Sequence, residues 1–407
     1  MKDEPQPDLK REMEEKKPLP GRWLEIFMVS AKLGLTSFGG PVAHLGYFRE
    51  EYVQRRGWLD ERGYAELVAL CQFLPGPASS QVGMGIGMMR GGMGGALLAW
   101  LGFTFPSVLL MILFALLLQT FDPAGAGWIH GLKIAAVVVV AQAVMGMGKS
   151  LAPDRIRAAI AVLAACAVLL GSSAFIQIAA IAAAAIAGIF LYGGDQTEGH
   201  SGLSVPIGRK TAAACLTLFF ALLALLPLLR AAVDSPAIKL FDGFYRAGAL
   251  VFGGGHVVLP LLQQEVVPTG LVSAADFLSG YAAAQAVPGP LFTFASYLGM
   301  NGGGWTGALL GTVAIFLPGF LLIAGTLPFW SLLSRSPRIR AAVTGVNAAV
   351  VGILLAALYD PVWVSAIGSS ADFALAALLF VLLVFWRLPA WVIVAAGAVG
   401  GELLGFL

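Results

Sequence analysis

Gln72-Phe73-Leu74-Pro75-Gly76-Pro77 sits inside an otherwise apolar stretch, and 213 positions later the chain reads Gln285-Ala286-Val287-Pro288-Gly289-Pro290. Two prolines around a glycine remove backbone donors and stop a helix, which hydrocarbon tolerates only where protein or water satisfies the freed groups. The same break written twice predicts a duplicated membrane protein with paired discontinuous helices.

The register extends outward from these breaks at offsets of 212 to 214. Lys32-Leu33-Gly34-Leu35-Thr36-Ser37-Phe38-Gly39-Gly40-Pro41 aligns with Arg246-Ala247-Gly248-Ala249-Leu250-Val251-Phe252-Gly253-Gly254-Gly255, keeping a cation, a glycine and a Phe-Gly-Gly core. Glu51 falls opposite Glu265, Pro106 opposite Pro318, and Lys133 after Gly131 opposite Asn347 after Gly345. Gly87, Gly91 and Gly95 recur as Gly299, Gly303 and Gly307, a spacing of four that reads as a bare packing stripe down one helix.

Composition sets the solvent. Hydrophobic residues make up 58% of the 407 positions and charged residues 12%, and several stretches approach the roughly 20 apolar residues that a spanning helix needs. Residues 1–22 mix bases, acids and prolines, so they form a cytoplasmic tail and no signal peptide. A membrane repeat over 23–195 follows, then 196–240, a polar linker with one extra transmembrane helix, and a second repeat over 241–407. With an even number of crossings per repeat, the single extra helix makes the second repeat enter from the opposite side. The expected fold is therefore an all-α polytopic membrane protein with two inverted-topology repeats.

Charge chooses how the broken segments run. Arg49, Arg55, Arg56 and Arg62 lie in segment 48–62, which a spanning first helix would place outside, against the positive-inside rule. If 23–47 and 63–89 instead dip in and return, twenty of the 25 Lys and Arg fall on the cytoplasmic side. That gives about nine full crossings plus four re-entrant segments; the alternative is thirteen spans.

A half-helix N-terminus carries partial positive charge and open amides that hold anions. Ser37, Phe38, Gly39, Gly40 and Pro41, Gln72, Pro75, Gly76 and Pro77, and their copies Phe252, Gly253, Gly254 and Gly255, Gln285, Pro288, Gly289 and Pro290 are the candidate substrate-binding residues. Lys32 and Arg246, cations in apolar segments six residues before their Phe-Gly-Gly breaks, add positive charge, unless they snorkel or pair with an acid. Lys133 is open to either role. Ser79, with Ser80, Gln81, Thr293 and Ser296, follows the breaks and suits hydrogen bonding to an oxyanion.

Cys71, Cys166 and Cys215 and the four histidines are scattered, without metal-ligand spacing, so no metal or cofactor is expected. A net charge of +2, with bases at helix ends, argues against nucleic acid. A membrane enzyme would need converging acids or a nucleophile, and no such cluster is legible.

Lys32 to Pro41, the loop 49–58 leading into Gly57-Trp58-Leu59, and Gln72 to Pro77, with their second-half copies, resemble the chromate ion transporter family in its long two-domain form. The resemblance spans nearly the whole chain. It implies a secondary transporter that exports chromate across a bacterial cytoplasmic membrane and confers chromate resistance, with sulfate as the natural mimic. Oxyanion uptake and an anion channel are the alternatives. The implied partners are a chromate or sulfate oxyanion and the lipid bilayer, and a homodimer is compatible. The second half departs from the first at Gly255 in place of Pro41, and it lacks the Gly-Trp-Leu loop and its arginines.

Overall fold

A computed structural model of the chain describes residues 19–38, 40–120, 127–171, 174–192, 206–252, 258–330 and 336–405. The candidate residues Gly39, Gly253, Gly254 and Gly255, most of the tail and most of the polar linker lie outside the described residues. Among the described residues the regular structure is helical: α1 Leu19–Thr36, α2 Gly40–Phe48 continuing as π-helical turns over Arg49–Arg55, α3 Glu61–Phe73, α4 Ala78–Thr120, α5 Gly127–Leu151, α6 Arg155–Leu170, α7 Ala174–Tyr192 and α8 Arg209–Ala232. The second half follows with α9 Pro236–Leu250, α10 Val258–Val266, α11 Ala274–Ala286, α12 Phe294–Thr326, α13 Pro337–Ala357, α14 Ser370–Val384 and α15 Ala390–Leu404.

Five stretches are long and apolar enough to cross a membrane: Ala78–Gln119, Gly127–Leu151, Arg209–Ala232, Leu291–Phe329 and Pro337–Ala366. Ile176–Tyr192, Ser370–Val384 and Ala390–Leu404 are shorter apolar helices. The chain is thus a polytopic, multi-pass membrane protein.

Local chemistry explains the breaks. Asp60 caps α3 by accepting from Gly63 N, and Ser273 caps α11 by accepting from Asp276 N. Each helix stops one residue before proline, where Leu74 (φ −78, ψ 147) and Val287 (φ −84, ψ 138) are driven to extended backbone.

One sequence expectation needs correction. Gly87, Gly91 and Gly95 do not line one helix, because α4 reverses at Gly91 and Gly92, with Gly92 at φ +63. A Cβ on Gly87 would lie 2.5 Å from Gly95 O, so the spacing of four serves a hairpin whose arms meet backbone to backbone. In α12, Gly304 at φ +59 makes the same reversal and brings Gly299 against Gly307. The arm 78–90 is then about 20 Å long, short of a bilayer's roughly 30 Å core, while the arm 93–120 is long enough to cross.

Helix ends fall into two sets. The start of α1 meets the segment after α2 through Arg56 and Glu25 (3.0 Å), and meets the α4 reversal through Trp23 Nε1 donating to Gly91 O (3.1 Å). So α1–α2 and α3 with arm 78–90 are two hairpins that return to the end where they began. At the opposite end Arg230 binds Glu265 (2.9 Å), Leu271 covers Gly302, and Gln119 Nε2 donates to Asn301 Oδ1 (3.1 Å). Arm 93–120 therefore finishes where the second half's hairpins start. It crosses arm 305–326 in the opposite direction, with Trp100 against Phe316 (5.9 Å between centroids).

Packing divides the helices differently from the repeats. Hairpin elements α1–α4 and α9–α12, with α8, form a core drawn from both halves; α5, α6, α7, α13, α14 and α15 form a second group, also drawn from both. Without a hydrophobic force between helices in lipid, small residues that admit backbone contact hold each group together. In the second group a Cβ on Gly131 would fall 1.9 Å from Gly397 O, on Gly188 2.2 Å from Ala341 O, and on Gly352 1.8 Å from Ala161 O. In the core, a Cβ on Gly34 would fall 2.6 Å from Phe103 O and one on Gly248 2.3 Å from Ile315 O. The groups meet chiefly where α11 lies against α5 and α15.

Candidate functional site

The four breaks interlock across the halves. Gly76 N–H donates to Val251 O (2.7 Å), and Gly289 N–H donates to Ser37 O (2.8 Å). Each Pro-Gly-Pro break of one half is thereby tied to the Phe-Gly-Gly break of the other. Gly76 (φ +122) and Gly289 (φ +96) adopt left-handed backbone that a side chain would strain.

The repeated prolines of the crossing arms supply the walls. Ser107, after Pro106, donates to Pro288 O (2.5 Å), and its Oγ occupies the space that a Cβ on Gly289 would need, 2.1 Å away. Gly319, after Pro318, lies against Pro77, and Gln81 Nε2 bridges Pro75 O (3.0 Å) and Gly319 O (3.3 Å). Of the residues expected from sequence, Ser37, Pro75, Gly76, Pro77, Ser79, Pro288, Gly289 and Pro290 come together here. Gln72 is exposed and stands apart, while Phe38, Gly40, Pro41 and Phe252 flank the crossing partly buried.

The cations take a different arrangement from the one sequence favours. Lys32 Nζ lies 2.9 Å from Glu51, and Arg246 lies 3.0 Å from Asp242 and 2.8 Å from Glu265. The pairs Lys32–Glu51 and Arg246–Glu265 occupy equivalent places in the two halves. Both therefore follow the pairing alternative, each cation lying against a carboxylate of its own hairpin. Glu51 also receives Arg56 (3.0 Å), and Arg230 from α8 reaches Asp242 (3.2 Å), which is fully buried. Glu51 and Glu265 are brought beside their cations only by the return of a hairpin, whereas Asp242 lies one helical turn before Arg246 on α9. Lys133 lies on α5 in the other group, partly buried, with no ion pair among the described residues.

The Gly57-Trp58-Leu59 signature seals the first cluster. Trp58 stacks on Tyr52 (5.2 Å) and takes the Arg90 guanidinium over its face at 4.2 Å. Outside the hairpin, Arg49 bonds to Glu61 (2.8 Å) and holds that carboxyl below its usual range.

His44 is the residue for which the sequence carries no signal. It is buried on α2, with Nδ1 3.3 Å from Ser79 Oγ, its ring edge-on to Phe103 and the Ser37 backbone beside it. Among the described residues its Nε2 has no hydrogen-bond partner, nor do the buried Oγ atoms of Ser37 and Ser80 or Oε1 of Gln81. The second half differs: Thr293 donates to Pro290 O (2.8 Å) and Ser296 to Thr293 O (2.7 Å). Among the described residues no group of three His, Cys, Asp or Glu side chains is placed to hold a metal.

Comparison with known proteins yields the same duplication. The family model described as Chromate transporter matches twice, over residues 24–189 and 238–401. A Chromate transport protein of Pseudomonas aeruginosa is 30% identical over 358 residues, covering 86% of this chain and 83% of its own. A Chromate transport protein of Cupriavidus metallidurans is 28% identical over 354 residues, 82% of this chain and 81% of its own. Uncharacterized transporter YwrA of Bacillus subtilis is 30% identical over 176 residues, which is 42% of this chain but 99% of that protein. No solved structure matches.

Proposed function

This chain belongs to the chromate transporter family, and on that premise we propose that it is a secondary transporter exporting chromate across the bacterial inner membrane, with its substrate held at the crossed helix breaks. The carrying observation is the reciprocal pair of backbone bonds, Gly76 to Val251 and Gly289 to Ser37. They bring two half-helix starts to one place between antiparallel arms, which is where inverted-repeat transporters keep substrate. Sulfate shares the tetrahedral dianion chemistry and is the second substrate to test.

We infer nine full crossings and four re-entrant hairpins in inverted repeats, with the N-terminus cytoplasmic. Supporting this are the shared end of Trp23, Glu25, Arg56 and Gly91, the opposite end shared by Gln119, Arg230, Glu265 and Asn301, and the arginines gathered at the first end. Rocking one repeat against the other would tear the reciprocal bonds apart. The moving bodies in this proposal are instead the hairpin core and the helix group around α5 and α13, sliding where α11 meets α5 and α15.

The test is chromate flux in proteoliposomes, normalised to folded protein, for variants with alanine at 75–77 or at 288–290. Alanine favours helix by about 3 kcal/mol per proline replaced, so each helix would run on and flux should fall to background. Wild-type flux in both variants would remove the broken-helix site. Saturable exchange separates a transporter from a channel, and loading either face sets the direction.

A further inference from the structure

We propose that His44 is a substrate ligand. The site would comprise His44 Nε2, the hydroxyls of Ser37 and Ser80, and the open amides at the start of helix arm 78–90. This rests on the reading that the crossed breaks hold the oxyanion, and it adds by which atoms of the first half.

A helix leaves its first N–H groups without partners. In arm 78–90 the amide of Gln81 is satisfied by Pro77 O (2.9 Å), which leaves Ala78, Ser79 and Ser80 as the open first turn. His44 is fastened to that turn through Ser79, and 1% of its surface is exposed. A Ser79 hydroxyl that donates to Nδ1 leaves the ring proton on Nε2, where no side-chain acceptor stands among the described residues and the Ser37 backbone lies beside the ring. Ser37 and Ser80, 0% and 2% exposed, have hydroxyls in the same condition. A buried polar group without a partner is costly, and so many around one open helix start indicate a ligand rich in acceptor oxygens.

The described residues of the second half are arranged differently. Thr293 and Ser296 spend their hydroxyls on carbonyls of their own segment, and Val258, Leu259 and Leu261 line α10 where α2 carries His44. The ligand class is thus a tetrahedral oxyanion bound by neutral donors, while the cations of both halves stay paired with Glu51, Asp242 and Glu265.

The experiment titrates the purified full-length protein, labelled with ¹⁵N-histidine, with sodium sulfate and separately with chromate, and measures binding to the same samples. The His44 ring resonances should move saturably with each anion, while His130, held by Asp372 at 2.7 Å, serves as the internal reference. Losing one hydrogen bond to a charged ligand should weaken binding roughly tenfold or more in His44→Phe. His44→Gln, whose amide can occupy the Nε2 position, should stay within about threefold by the same reasoning. Wild-type affinity in His44→Phe, or unmoved His44 resonances in wild-type protein that binds oxyanion, overturns the proposal. The wild-type titration decides alone if the variant does not fold. Failure of the underlying site reading looks different: alanine at both 75–77 and 288–290 would then leave affinity unchanged whatever His44 does.

Discussion

Gly289 donates its backbone N–H to Ser37 O at 2.8 Å, although the two residues belong to different repeats. The bond needs φ +96 at Gly289, and Ser107 Oγ fills the space on its side-chain face. Gly289→Ala should therefore cost about 1–3 kcal/mol from backbone strain, with the clash in addition. Adding Ser107→Ala should return the clash part and leave the strain. Thermal unfolding in detergent of the single and double variants checks this.

The ion pairs should respond unequally. Lys32 is half exposed, and Glu51 keeps Arg56, so Lys32→Ala should cost no more than about 1 kcal/mol. Arg246→Ala leaves the fully buried Asp242 with Arg230 alone and should cost about 3 kcal/mol. Unfolding midpoints of the two variants, each compared with its acid-removed double variant, measure the difference. Flux per folded molecule should survive Lys32→Ala if the cation serves only its pair.

Topology gives a labelling prediction. Single cysteines in 48–62 and 336–340 should resist an impermeant thiol reagent added outside cells, and cysteines in 267–272 should react. Labelling of 48–62 from outside would restore thirteen spans.

Which bodies move can be decided by one tether. Gln119 and Asn301 come from different repeats but lie within the same core, joined by a 3.1 Å hydrogen bond. Cysteines at both positions, bridged by a bismaleimide, should leave chromate flux near wild type if core and outer group slide past each other. Rocking of repeat against repeat predicts abolished flux in the bridged protein.

The repeat, the breaks and the membrane setting were legible because proline, glycine and apolar length act locally. Pro75 stops α3 whatever surrounds it, and its copy stops α11. The reversal at Gly91–Gly92 was not legible, since a spacing of four fits a helix stripe as well as two facing arms. Glu51 and Glu265 aligned in sequence, yet their pairing with Lys32 and Arg246 depends on segments that return beside their own start. His44 had no chance of detection, because only its unpartnered Nε2 beside an open helix turn distinguishes it.

The reciprocal glycine bonds carry a consequence for ancestry. A chain of one repeat has no foreign carbonyl for its Pro-Gly-Pro amide, so proteins of that length can complete such a crossing only in pairs. Fusion through α8 fixes that pairing at one to one inside a single polypeptide. Selection can then act on each half separately.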